Sequence, residues 1–207
     1  MKNSTIVKFY FIVLLMLDFG CSEIEKPDHT INSLNLDLSE EILDELAIIS
    51  VSEKLKVLNG HKAGQRIDPA LYERELKVAL SPLVDNGRLL HSKIIGALEK
   101  SDEFSRLAQA EKSRMYQFDE VQFAELSFLM SQAQNGNRNV NIDPQVMACL
   151  GVASGVVGIY DLIRNTSALG SVTSVTKALK LLGRRSLGWV GVGIMIVDFT
   201  TCYYGAA

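Results

Sequence analysis

The chain has 207 residues, with 21 Lys and Arg against 24 Asp and Glu and a formal net charge of -3. No basic excess exists to neutralise phosphates, which argues against a nucleic-acid-binding protein; apolar residues at 47% exclude the intrinsically disordered class. The length allows one ordinary domain with appendages, or two small domains.

Lys2 and Lys8 precede an unbroken apolar run from Phe9 to Leu17, the layout of a secretory signal. The run is too short to span a bilayer by itself. It is followed by Asp18-Phe19-Gly20-Cys21, and a small residue directly before a cysteine at this place resembles the lipobox of bacterial lipoproteins. Asp18 stands where that family usually has leucine. The resemblance implies that residues 1–21 are a lipoprotein signal peptide and that Cys21 is diacylated and becomes the mature N-terminus. Ser22-Glu23-Ile24-Glu25 is similar to the acidic stretch after the lipid cysteine in surface-exposed lipoproteins of the Bacteroidota. The implied location is extracytoplasmic, anchored by lipid to a bacterial membrane, at the outer membrane or cell surface. Two acyl chains, at about 0.8 kcal/mol per buried methylene, suffice for such an anchor. The alternatives for Cys21 are a plain signal anchor, or cleavage that leaves an incidental thiol.

Residues 22–36 are polar, contain Pro27 and lack periodicity, as a spacer would. Residues 37–134 then read as a helical body. Asp37 with Glu40 offers a capping box, Ile42, Leu46 and Ile49 share a face, and Asn59-Gly60 supplies a stop. Asp68-Pro69 supplies an N-cap and a proline at the first helical position, followed by Tyr72, Leu76, Ala79 and Leu80 at helical spacing. Ser81-Pro82 is expected to break that helix, and Asn86-Gly87 to weaken the next. Ser101 opens a helix with Phe104, Leu107, Ala108 and Met115 on one face, and Asp119 to Gln134 is apolar on a broad face. The body is therefore expected to be four to six short amphipathic helices in a small bundle.

Residues 135–144 are polar and rich in turn formers, the best internal boundary. Net charge changes across it, from -7 over residues 22–146 to +3 over residues 147–207. Residues 145–207 are expected to form a Gly-rich apolar helical hairpin joined by a basic connector with Lys177, Lys180, Arg184 and Arg185. Ala148, Gly151, Gly155 and Gly158 would form a small-residue stripe for close helix packing. The charge-free runs, about 16 and 12 residues long, fall short of the roughly 20 needed to span a bilayer, so burial in a soluble core is preferred to a membrane hairpin. The fold class is all-α throughout.

In an oxidising compartment Cys149 and Cys202 form an even pair. Bridged, they would join the start of one apolar helix to the far end of the other; the other reading is two buried free thiols. His29, His61 and His91 are scattered, read as surface or loop residues, and show no metal spacing. Gly151-Val-Ala-Ser-Gly155 has the wrong spacing for a nucleophile elbow, and Gly188 to Gly193 is not a dinucleotide fingerprint. Neither a catalytic site, a metal nor a cofactor is expected. The layout resembles uncharacterised Bacteroidota lipoproteins with a helical ectodomain and an apolar C-terminus, and more weakly resembles small Gly-rich disulfide-held bacteriocins. The primary expectation is a non-enzymatic, membrane-anchored binding module whose partner is a protein or envelope component and not nucleic acid. The alternative is a membrane-active, pore-forming or bacteriocin-like protein with residues 147–207 as effector.

Overall fold

The computed structural model describes residues 34, 36, 38, 40–62, 68–135, 144–154, 171–184 and 187–205. The described residues form eight helices and no strand: α1 Glu45–Lys62, α2 Pro69–Leu98, α3 Asp102–Ser105, α4 Gln109–Tyr116, α5 Glu120–Asn135, α6 Pro144–Ser154, α7 Val172–Arg184 and α8 Gly188–Tyr204. The fold is all-α, with five helices inside the stretch read as the helical body. Cys21 and the N-terminal signal lie outside the described residues.

Local capping sets most of the helix starts. α1 begins eight residues after the expected capping box at Asp37, because the Asp44 carboxylate accepts from the Ala47 amide at 2.8 Å and caps it there. It also continues through Asn59-Gly60 to Lys62. At α2, Asp68 caps as expected, accepting from the Ala70 amide at 3.0 Å with Pro69 at the first position. α5 opens on a reciprocal capping box: the Gln122 amide donates to Asp119 at 2.8 Å, and the Asp119 amide donates to Gln122 Oε1 at 2.9 Å. The helix expected from Ser101 is split in two, α3 and α4, with Ser101 capping the first.

The expected break at Ser81-Pro82 does not occur; α2 runs for 30 residues with Pro82 inside it. An interior proline removes one backbone hydrogen bond and costs roughly 3 kcal/mol. Here the Ser81 hydroxyl donates to the Val78 carbonyl at 3.0 Å, the acceptor that Pro82 leaves without an amide partner. Gly87, expected to weaken the helix, instead marks its closest crossing. A Cβ there would lie 1.9 Å from the Phe123 carbonyl oxygen, so only glycine lets α2 and α5 approach this closely.

The principal packing is α2 against α5. Every residue from Ala124 to Gln132 is buried, so α5 is enclosed on all sides and presents more than the expected broad face. Its buried polar side chains join neighbouring elements. Ser127 donates to Asn86 Oδ1 at 2.6 Å, Asn86 in turn donates to the Glu41 carbonyl, and the Leu43 amide donates to Ser131 Oγ at 3.2 Å. Glu41 also pairs with Lys93. These bonds fasten the segment before α1 onto the bundle. Leu34 and Leu38 are buried in the core as well, so the body takes in the end of the stretch read as spacer.

The apolar core is continuous from Leu34 to Phe199. α8 packs on α6 and also touches α1, α2 and α5. Phe199 meets Phe128 of α5 edge to face at 5.4 Å. Ser52 of α1 bonds to Thr200, whose hydroxyl donates to the Ile196 carbonyl at 2.9 Å. Where a basic connector was expected between two apolar helices, the chain forms a third helix, α7. Val172, Val175, Leu179 and Leu182 recur at i, i+3, i+7 and i+10 and are all buried, which is the stripe of an amphipathic helix. No helix among the described residues is long and apolar enough to cross a membrane.

His91, read as a surface or loop residue, is buried within α2. Its Nε2 lies 2.6 Å from the Met115 carbonyl, to which it donates, and its ring packs against Phe118 at 4.6 Å and Phe123 at 5.3 Å. Burial pushes its pKa below the ordinary 6.5, against a smaller opposing effect of the bond to Met115.

Candidate functional site

With one side of α7 turned to the core, Thr173, Thr176, Lys177 and Lys180 follow one another at i, i+3, i+4 and i+7 along its flank. α3 and the turn after it face them and supply Glu103, Arg106 and Leu107; together with Val172 these residues enclose a groove of about 410 Å³. That size lies within the roughly 300–1,000 Å³ typical of small-molecule sites.

Several contacts fix the turn. Phe104 is buried, the Phe104 amide donates to Ser101 Oγ at 3.2 Å, and Lys112 donates to the Ser105 carbonyl at 2.6 Å. Across the groove, Thr173 donates to Glu103 Oε2 at 3.4 Å. Lys180 is engaged by Glu111 of α4 at 2.9 Å. That hydrogen bond is the main reason the Glu111 carboxyl lies below the usual carboxylate range. Arg106 and Lys177 are exposed, and neither makes an ion pair among the described residues. The floor consists of Leu107, Val172 and Thr176. Thr176 is 6% exposed, and its hydroxyl oxygen is buried without a hydrogen-bond partner.

A second groove, of about 500 Å³, lies where α2 and α8 begin, lined by Pro69, Tyr72, Glu73, Leu187, Gly188, Trp189 and Val190. Gly188 has φ 64°, a left-handed conformation that glycine adopts without strain, and it starts α8 directly before Trp189. Tyr72 is fixed by donating to Asn59 Oδ1 at 2.6 Å. The charges here satisfy one another: Lys77 pairs with Glu73 at 3.0 Å and stands 5.5 Å from the Trp189 ring centroid.

Cys149 and Cys202 are at disulfide distance, with Cα atoms 5.6 Å apart. Cys149 is buried and Cys202 exposed. The pair brings the middle of α6 to α8 near its end, where Gln145 donates to the Tyr203 carbonyl at 3.4 Å and Tyr203 stacks on Phe199 at 5.5 Å. Burial raises the pKa of the neighbouring Tyr204 hydroxyl, with a smaller contribution from Glu45.

Ala148 is exposed, which corrects its assignment to a packing stripe. α6 buries Val146, Cys149 and Leu150 instead, because the large apolar residues at i, i+3 and i+4 outweigh the small ones in area removed from water. Gly151 lies in the same helix, while Gly155 and Gly158 fall outside the described residues. No group of three or more metal-ligating side chains occurs among the described residues. The groove beside α7 had no counterpart in the sequence reading. The signal that could have found it is the apolar stripe of α7, which fixes the side of the helix on which the lysines lie.

Comparison with protein-family models, with curated proteins and with solved structures finds no match for this chain.

Proposed function

We propose that the chain is a non-enzymatic helical binding module, exported and held to a bacterial membrane through lipid on Cys21. The observation that carries this reading is the Cys149–Cys202 pair at disulfide distance. Disulfides persist in oxidising compartments, and the Phe9–Leu17 run followed by Gly20-Cys21 independently directs the chain to one. The groove beside α7 supports the binding role: it is concave, partly apolar, and carries cations that no neighbouring carboxylate engages.

The membrane-active reading has less support. Met195, Ile196 and Phe199 are buried against the body, so releasing α8 as an effector would expose core. No helix among the described residues has the length and apolarity to span a bilayer.

The test is metabolic labelling of the full-length chain in a bacterial host with a clickable palmitate analogue, followed by non-reducing and reducing electrophoresis. Label incorporation that C21S abolishes, and a mobility shift on reduction that C149S/C202S abolishes, are the expected results. An unlabelled wild-type chain would end the anchor assignment, and a chain with free thiols after export would remove the observation on which the reading rests.

A further inference from the structure

The groove that α3 and the turn after it form with α7 is lined by charges that do not balance. On other faces Lys56 pairs with Glu53, Lys77 with Glu73, Arg88 with Glu120 and Lys93 with Glu41. In the groove Lys180 is likewise satisfied by Glu111, which leaves Arg106 and Lys177 as two cations facing one carboxylate, Glu103. The local excess is therefore one positive charge, placed over an aliphatic floor of Leu107 and Val172.

A ligand complementary to this arrangement carries one negative charge and an aliphatic segment. A dianion such as a phosphate monoester would leave one charge uncompensated and face Glu103. An aromatic or nucleoside ligand would find no ring to stack on, since the lining contains no aromatic residue. A carboxylate suits the planar fork of Arg106, which can donate two parallel hydrogen bonds to it. Thr176 adds an independent indication. Thr176 lines the groove, its side chain is more than nine-tenths buried, and its hydroxyl oxygen has no hydrogen-bond partner. Threonine in a helix divides between two χ1 rotamers, so a change of rotamer turns this hydroxyl toward a polar headgroup that enters the groove.

We infer that this groove binds a medium-chain aliphatic carboxylate, with the headgroup held by Arg106 and Lys177 and the chain lying over Leu107 and Val172. The inference rests on the binding-module reading for its sense but not on the lipid anchor, so the two fail separately.

The experiment is a titration of the full-length C21S chain with 8-fluorooctanoate, followed by fluorine NMR. Saturable binding is expected, weakened about tenfold or more in R106A/K177A, because the variant loses the charge-assisted hydrogen bonds to the headgroup. Both side chains are exposed, and circular dichroism checks that the fold is retained. K56A, whose lysine pairs with Glu53 on α1, is expected to bind as the parent does. Neither 1-octanol nor acetate at matched concentration is expected to displace the probe. Absence of saturable binding overturns the inference, as does full binding by R106A/K177A. Displacement by 1-octanol would show that the charge has no role, and displacement by acetate that the apolar floor has none; either result overturns it too. The palmitate-labelling result for Cys21 is unaffected by any of these outcomes.

Discussion

Two alanine substitutions in α2 are expected to move stability in opposite directions. Gly87 and Gly96 both lie inside this helix, where replacing glycine by alanine favours the helix by about 1 kcal/mol from backbone entropy alone. At Gly96 nothing lies within 4 Å of the added methyl, so G96A is expected to gain roughly 0.5–1 kcal/mol. At Gly87 the methyl would lie 1.9 Å from the Phe123 carbonyl oxygen, about 1.5 Å inside ordinary van der Waals contact. The obstacle is backbone and cannot rotate away, so α2 and α5 have to separate at their principal packing contact. Overpacking of this kind costs about 1–3 kcal/mol, occasionally more; after the propensity gain, G87A is expected to lose about 1–2 kcal/mol. Urea denaturation followed by circular dichroism would read both as shifts of the midpoint at unchanged slope. If G87A proves as stable as G96A, α2 and α5 do not cross this closely at Gly87.

Two further perturbations test other parts of the fold. Cys149 and Cys202 are separated by 53 residues, and cross-linking a loop of that length stabilises by about 4 kcal/mol in the chain-entropy model. C149S/C202S is expected to lose most of this under non-reducing conditions, and the parent to lose the same on reduction; equal stability of parent and variant without reductant would contradict a formed bridge. His91 is held below its ordinary pKa of 6.5 chiefly by burial, so just below pH 6.5 the unfolded chain binds more protons than the folded one. Its contribution to stability is therefore complete above pH 6.5 and is lost as the pH falls toward the lower folded-state value. H91Q, which keeps a donor for Met115 but does not titrate, is expected to show a flatter fall in denaturation midpoint between about pH 7.5 and 5.5. Parallel profiles for H91Q and the parent would show that the histidine is not buried in its neutral form.

What the sequence disclosed follows the range of the interaction involved. Asp68-Pro69, Ser101 and Asp119 act within three residues of themselves, and each marks a helix start. Ser81-Pro82 misleads because proline is read as a breaker by its own chemistry, while the serine hydroxyl that covers the freed carbonyl belongs to the preceding residue. Gly87 reads as a weak point because its purpose, room for the Phe123 carbonyl, comes from a residue 36 positions away in the sequence. α7 was legible in Val172, Val175, Leu179 and Leu182, but the nearby cluster of basic residues suggests a connector when read alone. The groove is the least legible feature, because its two walls are separated by about 65 residues, and no local pattern tells that Glu111 engages Lys180 and leaves Lys177 open.

The order in which the core is completed bears on how the chain can be handled during synthesis. α8 comes last in chain order among the described helices, yet it carries the Phe199 ring that meets Phe128, and its Gly193 lies against Leu55 and Leu76. Until the residues of α8 leave the ribosome, the enclosed helix α5 has an open side and the bundle cannot close. A core whose closing helix follows all the other described helices in the chain delays the final packing until that helix is available. Cys202 lies on the same helix, so its approach to Cys149 depends on that same packing.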